Sequence, residues 1–295
     1  MDFKEKLALK TAEAEEIISA YLPAEEGFQK IIFESMNYSV RAGGKRLRPL
    51  MMLDVYRMFG GSSKEIEPFM AGMEMMHSAS LVHDDLPAMD NDTLRRGKPT
   101  TWYKYGEDIA ILAGDALMIY AFETASRAAE MTGHPDRVLT AMNIFANKSG
   151  IYGMIGGQTV DVELTDKPID EKHLDFIFRL KTGALIEASM MIGACLAGAS
   201  AEELAQVEKA AGDIGFAFQI QDDILDIYGS EAELGKPIHS DEKNNKTTYV
   251  SLYGLEKAKA DVKLRSDRAI SIFRSLPGDS SFMEELIESL VSRSF

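Results

Sequence analysis

The sequence holds a single cysteine, Cys195, which excludes an intrachain disulfide. It sits in the apolar run 193–198 and reads as a packing residue, a small hydrophobe rather than a reactive thiol. Positive charge is also scarce, 32 Lys and Arg against 47 Asp and Glu, for a formal net charge of -15. That surplus repels polyanions at long range and argues against nucleic acid or an anionic membrane surface as the main partner. An anionic substrate would need a local basic pocket. The least polar stretch, 184–199, carries Glu187 and falls short of the ~20 apolar residues that span a bilayer, so no stable membrane insertion is expected. The charged start Met1-Asp2-Phe3-Lys4 lacks an apolar signal core, and the expectation is a soluble cytoplasmic protein. Alternating strand patterns, Gly/Ser-rich linkers, low-complexity tracts and fixed-period repeats are absent as well.

What remains is an ordinary globular composition, 45% hydrophobic and 27% charged, enough to bury a large core. Apolar residues recur at helical spacing over 4–22, 28–40, 47–59, 66–86, 107–130, 136–155, 170–181, 184–198, 201–228, 247–274 and 281–293, with Gly or Pro at many junctions. The expectation is one all-α domain spanning 1–295. Small residues dominate 183–199, which lets a central helix approach its neighbours closely.

Two acidic clusters stand out. Asp222 and Asp226 are four apart in Ile220-Gln221-Asp222-Asp223-Ile224-Leu225-Asp226, so on a helix both carboxylates project from one face. Like charges held together are costly unless a divalent cation neutralises them, and carboxylate oxygens suit magnesium that keeps several waters. The first cluster, His83-Asp84-Asp85-Leu86-Pro87-Ala88-Met89-Asp90, follows an apolar helix that Pro87 should end. Asp84 and Asp90 are six apart, and an irregular turn is needed to bring them onto one rim.

Basic residues answer these clusters despite the acidic background. Arg41, Lys45, Arg46 and Arg48 surround Gly43-Gly44, and Arg95, Arg96 and Lys98 follow the first cluster. Arginine forks and mobile lysines together suit a diphosphate and its metals. His77 lies seven residues before Asp84, two turns away on a similar face, where a neutral imidazole could contact a second diphosphate.

The chain resembles the trans-isoprenyl diphosphate synthases of the bacterial farnesyl and plant-type geranylgeranyl kind. The resemblance rests on Gly43-Gly44-Lys45-Arg46-Leu47-Arg48-Pro49, on the run from Leu81 to Thr100, on Gly156-Gly157-Gln158, on Lys181-Thr182 and on the run from Phe218 to Asp226. It implies an all-α isoprenoid synthase fold around a deep central cavity, two facing aspartate rims, and a homodimer. It also implies that Asp84, Asp90 and Asp222 ligate three magnesium ions, with Asp85 and Asp226 supporting them through water and Asp223 completing the catalytic set with Lys181. By the same resemblance Arg95, Lys181, Thr182, Gln219, Lys236 and Lys246 hold an allylic diphosphate, while Lys45, Arg48, His77 and Arg96 hold isopentenyl diphosphate. The stretch 235–246 is looser than the family pattern, so Lys243 and Lys246 are alternatives for one role.

The implied activity is condensation of isopentenyl diphosphate with dimethylallyl, geranyl or farnesyl diphosphate by ionisation, condensation and elimination. Electrostatic stabilisation of the leaving diphosphate would carry most of it. Product length should follow the helix below the first aspartates, where Met73, Met76, Ala79 and Ser80 are lining candidates. The resembling farnesyl synthases usually have an aromatic residue five before the first aspartate. Ala79 stands there in this chain, which opens the floor toward geranylgeranyl (C20) diphosphate, with farnesyl (C15) diphosphate as competitor. The alternatives are a class I terpene cyclase, which needs no second diphosphate site, and a non-catalytic subunit of a heteromeric synthase, which should have lost aspartates or basic clamps.

Overall fold

The computed structural model describes residues 2–228 and 247–292. Helix α1 (Phe3–Ala20) opens on a reciprocal cap, in which the Asp2 carboxylate accepts from the Glu5 amide and the Glu5 carboxylate from the Asp2 amide. Then follow α2 (Lys30–Val40), α3 (Leu47–Met58) and α4 (Glu67–Asp84), the last with Pro68 in its first turn, where a missing amide proton costs nothing. A two-stranded hairpin, β1 (Leu94–Arg95) with β2 (Lys98–Pro99), leads into α5 (Thr101–Tyr105) and α6 (Glu107–Ser126). Next come α7 (Pro135–Ser149), α8 (Met154–Glu163), α9 (Glu171–Ile177), α10 (Ala184–Ala197) and α11 (Ala201–Tyr228). Beyond 246 lie α12 (Tyr249–Tyr253), α13 (Leu255–Ser275) and α14 (Ser281–Ser292).

The all-α expectation holds, and several boundaries move for local reasons. The 136–155 pattern is two helices, because the chain turns tightly at 150–153. A Cβ on Gly153 would stand 1.9 Å from the Lys148 carbonyl oxygen, a contact only glycine allows. The opposite happens at 178–183, where two expected helices join through a π-helical turn that runs without interruption from α9 into α10. The 247–274 pattern is split by Gly254, whose φ of 79° a side chain would strain. The 107–130 pattern ends its α-helical part at Ser126 and tightens over Arg127–Glu130.

Two helices form the interior. Every residue of α10 from Ala184 to Leu196 is buried, and α4 buries most of its length from Pro68 to Val82. Helix α10 lies among α3, α7 and α11, while α4 lies against α6, α3 and α1. Glycines set two of these seams. A Cβ on Gly193 would be 2.3 Å from the Met52 carbonyl oxygen, and one on Gly72 would be 2.6 Å from that of Ala121. Cys195 is buried in this interior, and burial pushes its thiol up to about 11, consistent with a packing residue.

Candidate active site

The C-terminal end of α4 builds the first wall. Pro87 prevents the helix from continuing, and the chain doubles back, so that the Asp90 amide donates to the Asp84 carbonyl at 2.9 Å. Two further amides, those of Met89 and Asn91, bond the Leu86 carbonyl at 2.9 and 3.1 Å. This is the irregular turn that brings Asp90 beside Asp84. The Asp84 carboxyl is raised above the usual carboxylate range, chiefly by burial; Lys181 opposes the rise and Asp90 adds to it.

The adjacent Asp85 has a direct partner. It is 3% exposed, and Arg95 grips it directly, Nε at 2.8 Å and Nη2 at 2.6 Å from Oδ1. The hairpin makes this contact. Arg96 and Gly97 have φ of 54° and 73°, the two left-handed residues of a tight hairpin turn, and that turn sends Arg95 inward over Asp85. Burial nevertheless pushes the Asp85 carboxyl up, with Arg95 opposing.

The second wall comes from α8, the π-helical turn and α11. Gln158 Nε2 donates to Asp84 Oδ1 at 2.7 Å, joining the walls, while its Oε1 is buried with no hydrogen-bond partner. Lys181 Nζ donates to Asp161 Oδ2 at 2.5 Å, and Thr182 Oγ1 donates to Gln219 Oε1 at 2.9 Å. Both residues lie in the π-helical turn, from which Lys181 reaches α8 and Thr182 reaches α11.

On α11, Asp222 is half-buried, whereas Asp223 and Asp226 are 4% and 1% exposed. Four residues apart on α11, Asp222 and Asp226 share a helix face, Asp226 being the more deeply buried of the two. Asp223 Oδ2 accepts from the Tyr249 amide at 2.6 Å and so ties α11 to the start of α12. Lys236, Lys243 and Lys246 lie outside the described residues.

A third group flanks the first wall. Lys45 is exposed at the start of the Gly43–Arg48 strap. Arg96 Nη1 donates to the Gly43 carbonyl, and a Cβ on Gly44 would stand 2.7 Å from that guanidinium. Arg48 Nη1 donates to His77 Nε2 at 3.4 Å, a bond that requires a neutral imidazole with its proton on Nδ1. His77 is held well below the ordinary histidine range, first by desolvation and then by Arg48, Arg96, Arg95 and Arg46. Arg48 is itself pushed down to about 10 by burial, and its Nε has no partner.

Among the described residues, no three His, Cys, Asp or Glu side chains converge closely enough to hold an ion unaided. The donor set nonetheless fits magnesium. Asp84 and Asp90 offer only hard carboxylate oxygens, and their mutual repulsion calls for a cation with phosphate or water completing its shell.

The family model for polyprenyl synthetases matches residues 29–283. The chain belongs to the polyprenyl synthetase family. It is 39% identical to a farnesyl diphosphate synthase of Geobacillus stearothermophilus over 98% of this chain and 96% of that one. A farnesyl diphosphate synthase of Escherichia coli is 41% identical over 99% of both chains, and a geranylgeranyl diphosphate synthase of Cyanophora paradoxa is 43% identical over 82% and 81%. Among solved structures, an FPP/GFPP synthase from Zymomonas mobilis superimposes with a TM-score of 0.86 at 31% identity, over 98% of each chain.

Within this polyprenyl synthetase, three site residues escaped the sequence reading. Asp161, Glu74 and Tyr249 each partner an expected site residue or its immediate neighbour: Lys181, Arg46 and Asp223. Asp161 had a usable signal, standing three residues after Gln158 and so on the same face of α8. Met76 and Ala79 are buried in one hydrophobic cluster, and Ser80 turns its hydroxyl back to the His77 carbonyl at 2.9 Å.

Proposed function

We propose that this polyprenyl synthetase condenses isopentenyl diphosphate with an allylic diphosphate, giving chains of C15 to C20. The observation that carries the reading is the separation of two cationic groups by the first aspartate wall. Lys181 acts on Asp84 and Asp161, with Thr182 next to it, while Arg48 of the Gly43–Arg48 strap meets His77 and Arg96 bonds the strap at Gly43. Two diphosphates need two such places.

Magnesium bound through Asp84, Asp90 and Asp222 would supply the positive charge that draws negative charge onto the leaving diphosphate. The protein does the rest. Lys181, with its charged form favoured by Asp161 and Asp84 against burial, donates toward the allylic diphosphate with Thr182 and Gln219. Arg95, already raised by Asp85, adds a second donor on that side. Lys45, Arg48, Arg96 and the Nδ1–H of neutral His77 hold isopentenyl diphosphate so that its double bond faces the allylic carbon, which makes the attack effectively intramolecular. The carbon–oxygen bond of the allylic diphosphate breaks, a carbon–carbon bond forms, and the departing diphosphate accepts the proton then lost. No protein base is required.

The product would grow below Asp84 past Ala79, whose small side chain stands where an aromatic one would take up more of the space. Purified protein incubated with isopentenyl diphosphate, magnesium and each allylic starter should release C20 alcohol, with C15 beside it, after dephosphorylation. No consumption of isopentenyl diphosphate would overturn the reading.

The subunit is proposed to act as a homodimer in the cytoplasm. Ile111, Leu112 and Ile119 on α6, Leu139 on α7, and Ile151 and Tyr152 after it are large apolar residues left exposed, Ile119 at 71%. A patch of that kind on neighbouring elements favours burial against a second copy. The stretch 107–130 is long and apolar enough to cross a bilayer, as is 171–197, which is mostly buried in the core. Sedimentation at micromolar concentration should give a dimer, and Ile119→Glu a monomer.

A further inference from the structure

Beside the basic strap lies a buried ion pair that the reaction does not use. Arg46 Nη1 donates to Glu74 Oε1 at 2.6 Å, with both side chains at most 5% exposed. Nη2 of the same guanidinium donates to the Val40 carbonyl at 2.8 Å. Arg46 thus clamps the end of α2 to the middle of α4. Its Nε sits 3.5 Å from Glu15 Oε1 without a hydrogen bond, so the pair with Glu74 is its principal anionic anchor.

The backbone at Arg46 is unusual in a way that this clamp explains. Arg46 caps α3 with a φ of 50°, a left-handed conformation that costs a non-glycine residue on the order of 1 kcal/mol. Such a conformation persists only where its surroundings over-determine it. Lys45 precedes it and Arg48 follows two residues later. Their direction is therefore set by whether Arg46 stays in place. The same strap receives Arg96 on the Gly43 carbonyl, so Arg96 depends on it too.

Glu74 also stands three residues before His77 on α4, on the same face. It works against the burial-driven weakening of Arg48, and with Asp85 against that of Arg96. Without it, Arg46, Arg48 and Arg96 would crowd together with less negative charge to hold them at rest.

We infer that Glu74 and Arg46 are positioning residues for the isopentenyl diphosphate half of the site: Glu74 fixes Arg46, and Arg46 fixes the strap that aims Lys45, Arg48 and Arg96. The inference rests on the assignment of those three residues and His77 to isopentenyl diphosphate.

The test is a split in Michaelis constants. Glu74→Gln keeps the shape and removes the charge; Arg46→Lys keeps the charge and removes the fork that holds Glu74 and Val40 together. Each should raise KM for isopentenyl diphosphate about tenfold, the size of one charge-assisted hydrogen bond, and leave KM for the allylic substrate within about twofold. The double variant Arg46→Met with Glu74→Leu separates positioning from folding, because replacing both members of a buried pair restores stability more readily than removing one. Its unfolding midpoint should recover while KM for isopentenyl diphosphate stays high. Recovery of that KM with the midpoint would overturn the inference, as would equal changes in both Michaelis constants. Lys45→Ala marks the underlying assignment: if it leaves KM for isopentenyl diphosphate unchanged, the assignment fails and the inference with it. If Lys45→Ala raises that KM but Glu74→Gln and Arg46→Lys do not, the inference alone fails.

Discussion

Gly157 of α8 touches the chain at Lys181, so closely that a Cβ on it would stand 2.2 Å from the Lys181 amide nitrogen and 2.8 Å from the Leu180 carbonyl carbon. The contact is backbone against backbone, and no side chain can swing away to relieve it. Gly157→Ala should displace the π-helical turn and with it Lys181 and Thr182. We expect a loss of about 1–3 kcal/mol in stability, typical of overpacking, and a kcat reduced at least tenfold in the fraction that remains folded. Urea unfolding and steady-state kinetics on the same preparation check both. Unchanged kcat would mean that the turn does not set the lysine's position.

Ala79 is fully buried one turn before His83 and five residues before Asp84. Ala79→Tyr should shift the products from C20 toward C15. Chromatography of the dephosphorylated products reads the change directly, and an identical product distribution would remove Ala79 as the ruler.

Two adjacent aspartates should fail in different ways. Asp223 Oδ2 accepts the Tyr249 amide at 2.6 Å, and Tyr249 is buried, so Asp223→Ala leaves a buried donor short of its acceptor at a cost of about 1–3 kcal/mol. Asp223→Asn should keep most of that stability, since its amide oxygen still accepts. Asp222→Ala should raise the magnesium needed for half-maximal turnover at least tenfold. Thermal unfolding and magnesium titration of the three variants distinguish the roles.

His77 gives a pH prediction. Its folded pKa lies well below the ordinary value of 6.5, so between those two values the unfolded chain binds the extra proton and the folded chain does not. Stability therefore falls as pH drops through 6.5 toward the folded value, and is unaffected by this group above 6.5. His77→Gln should lose less stability than the wild type between about pH 8 and pH 5. The raised carboxyls of Asp84 and Asp85 act in the opposite sense, favouring the folded form on acidification, but to first order they are common to both proteins. Urea midpoints at stepped pH test the difference, and parallel curves would contradict a depressed His77.

The parts of the site legible in the sequence are those written in local chemistry. Pro87 ends α4, the spacing of Asp84 and Asp90 demands a bent return, and helical periodicity locates α4 and α11. What stayed hidden depends on partners distant in the chain. Left-handed backbone at Arg46 has no signature of its own; its side chain is held there by Glu74 and the Val40 carbonyl. The π-helical turn at 178–183 looked like a junction between two helices, because one extra residue per turn disrupts the apolar period much as a break does. The link from Gln158 to Asp84 spans 74 positions, and only the folded chain reveals it. Burial is likewise invisible in the sequence: Asp85 is enclosed with Arg95 against it, and Asp226 is 1% exposed.

The glycine seams at Gly72, Gly157 and Gly193 bear on how such an enzyme could be made hardier. Exchanging glycine for alanine is a routine stabilising step, since it restricts the unfolded chain, and it works wherever the folded backbone has room. At these three places main chain already meets main chain, so the same step would wedge helices apart. Gly133, just ahead of α7, is the contrasting case: a Cβ there meets nothing within 4 Å and its φ needs no glycine. Engineering for heat tolerance would begin in that turn and leave the seams as they stand.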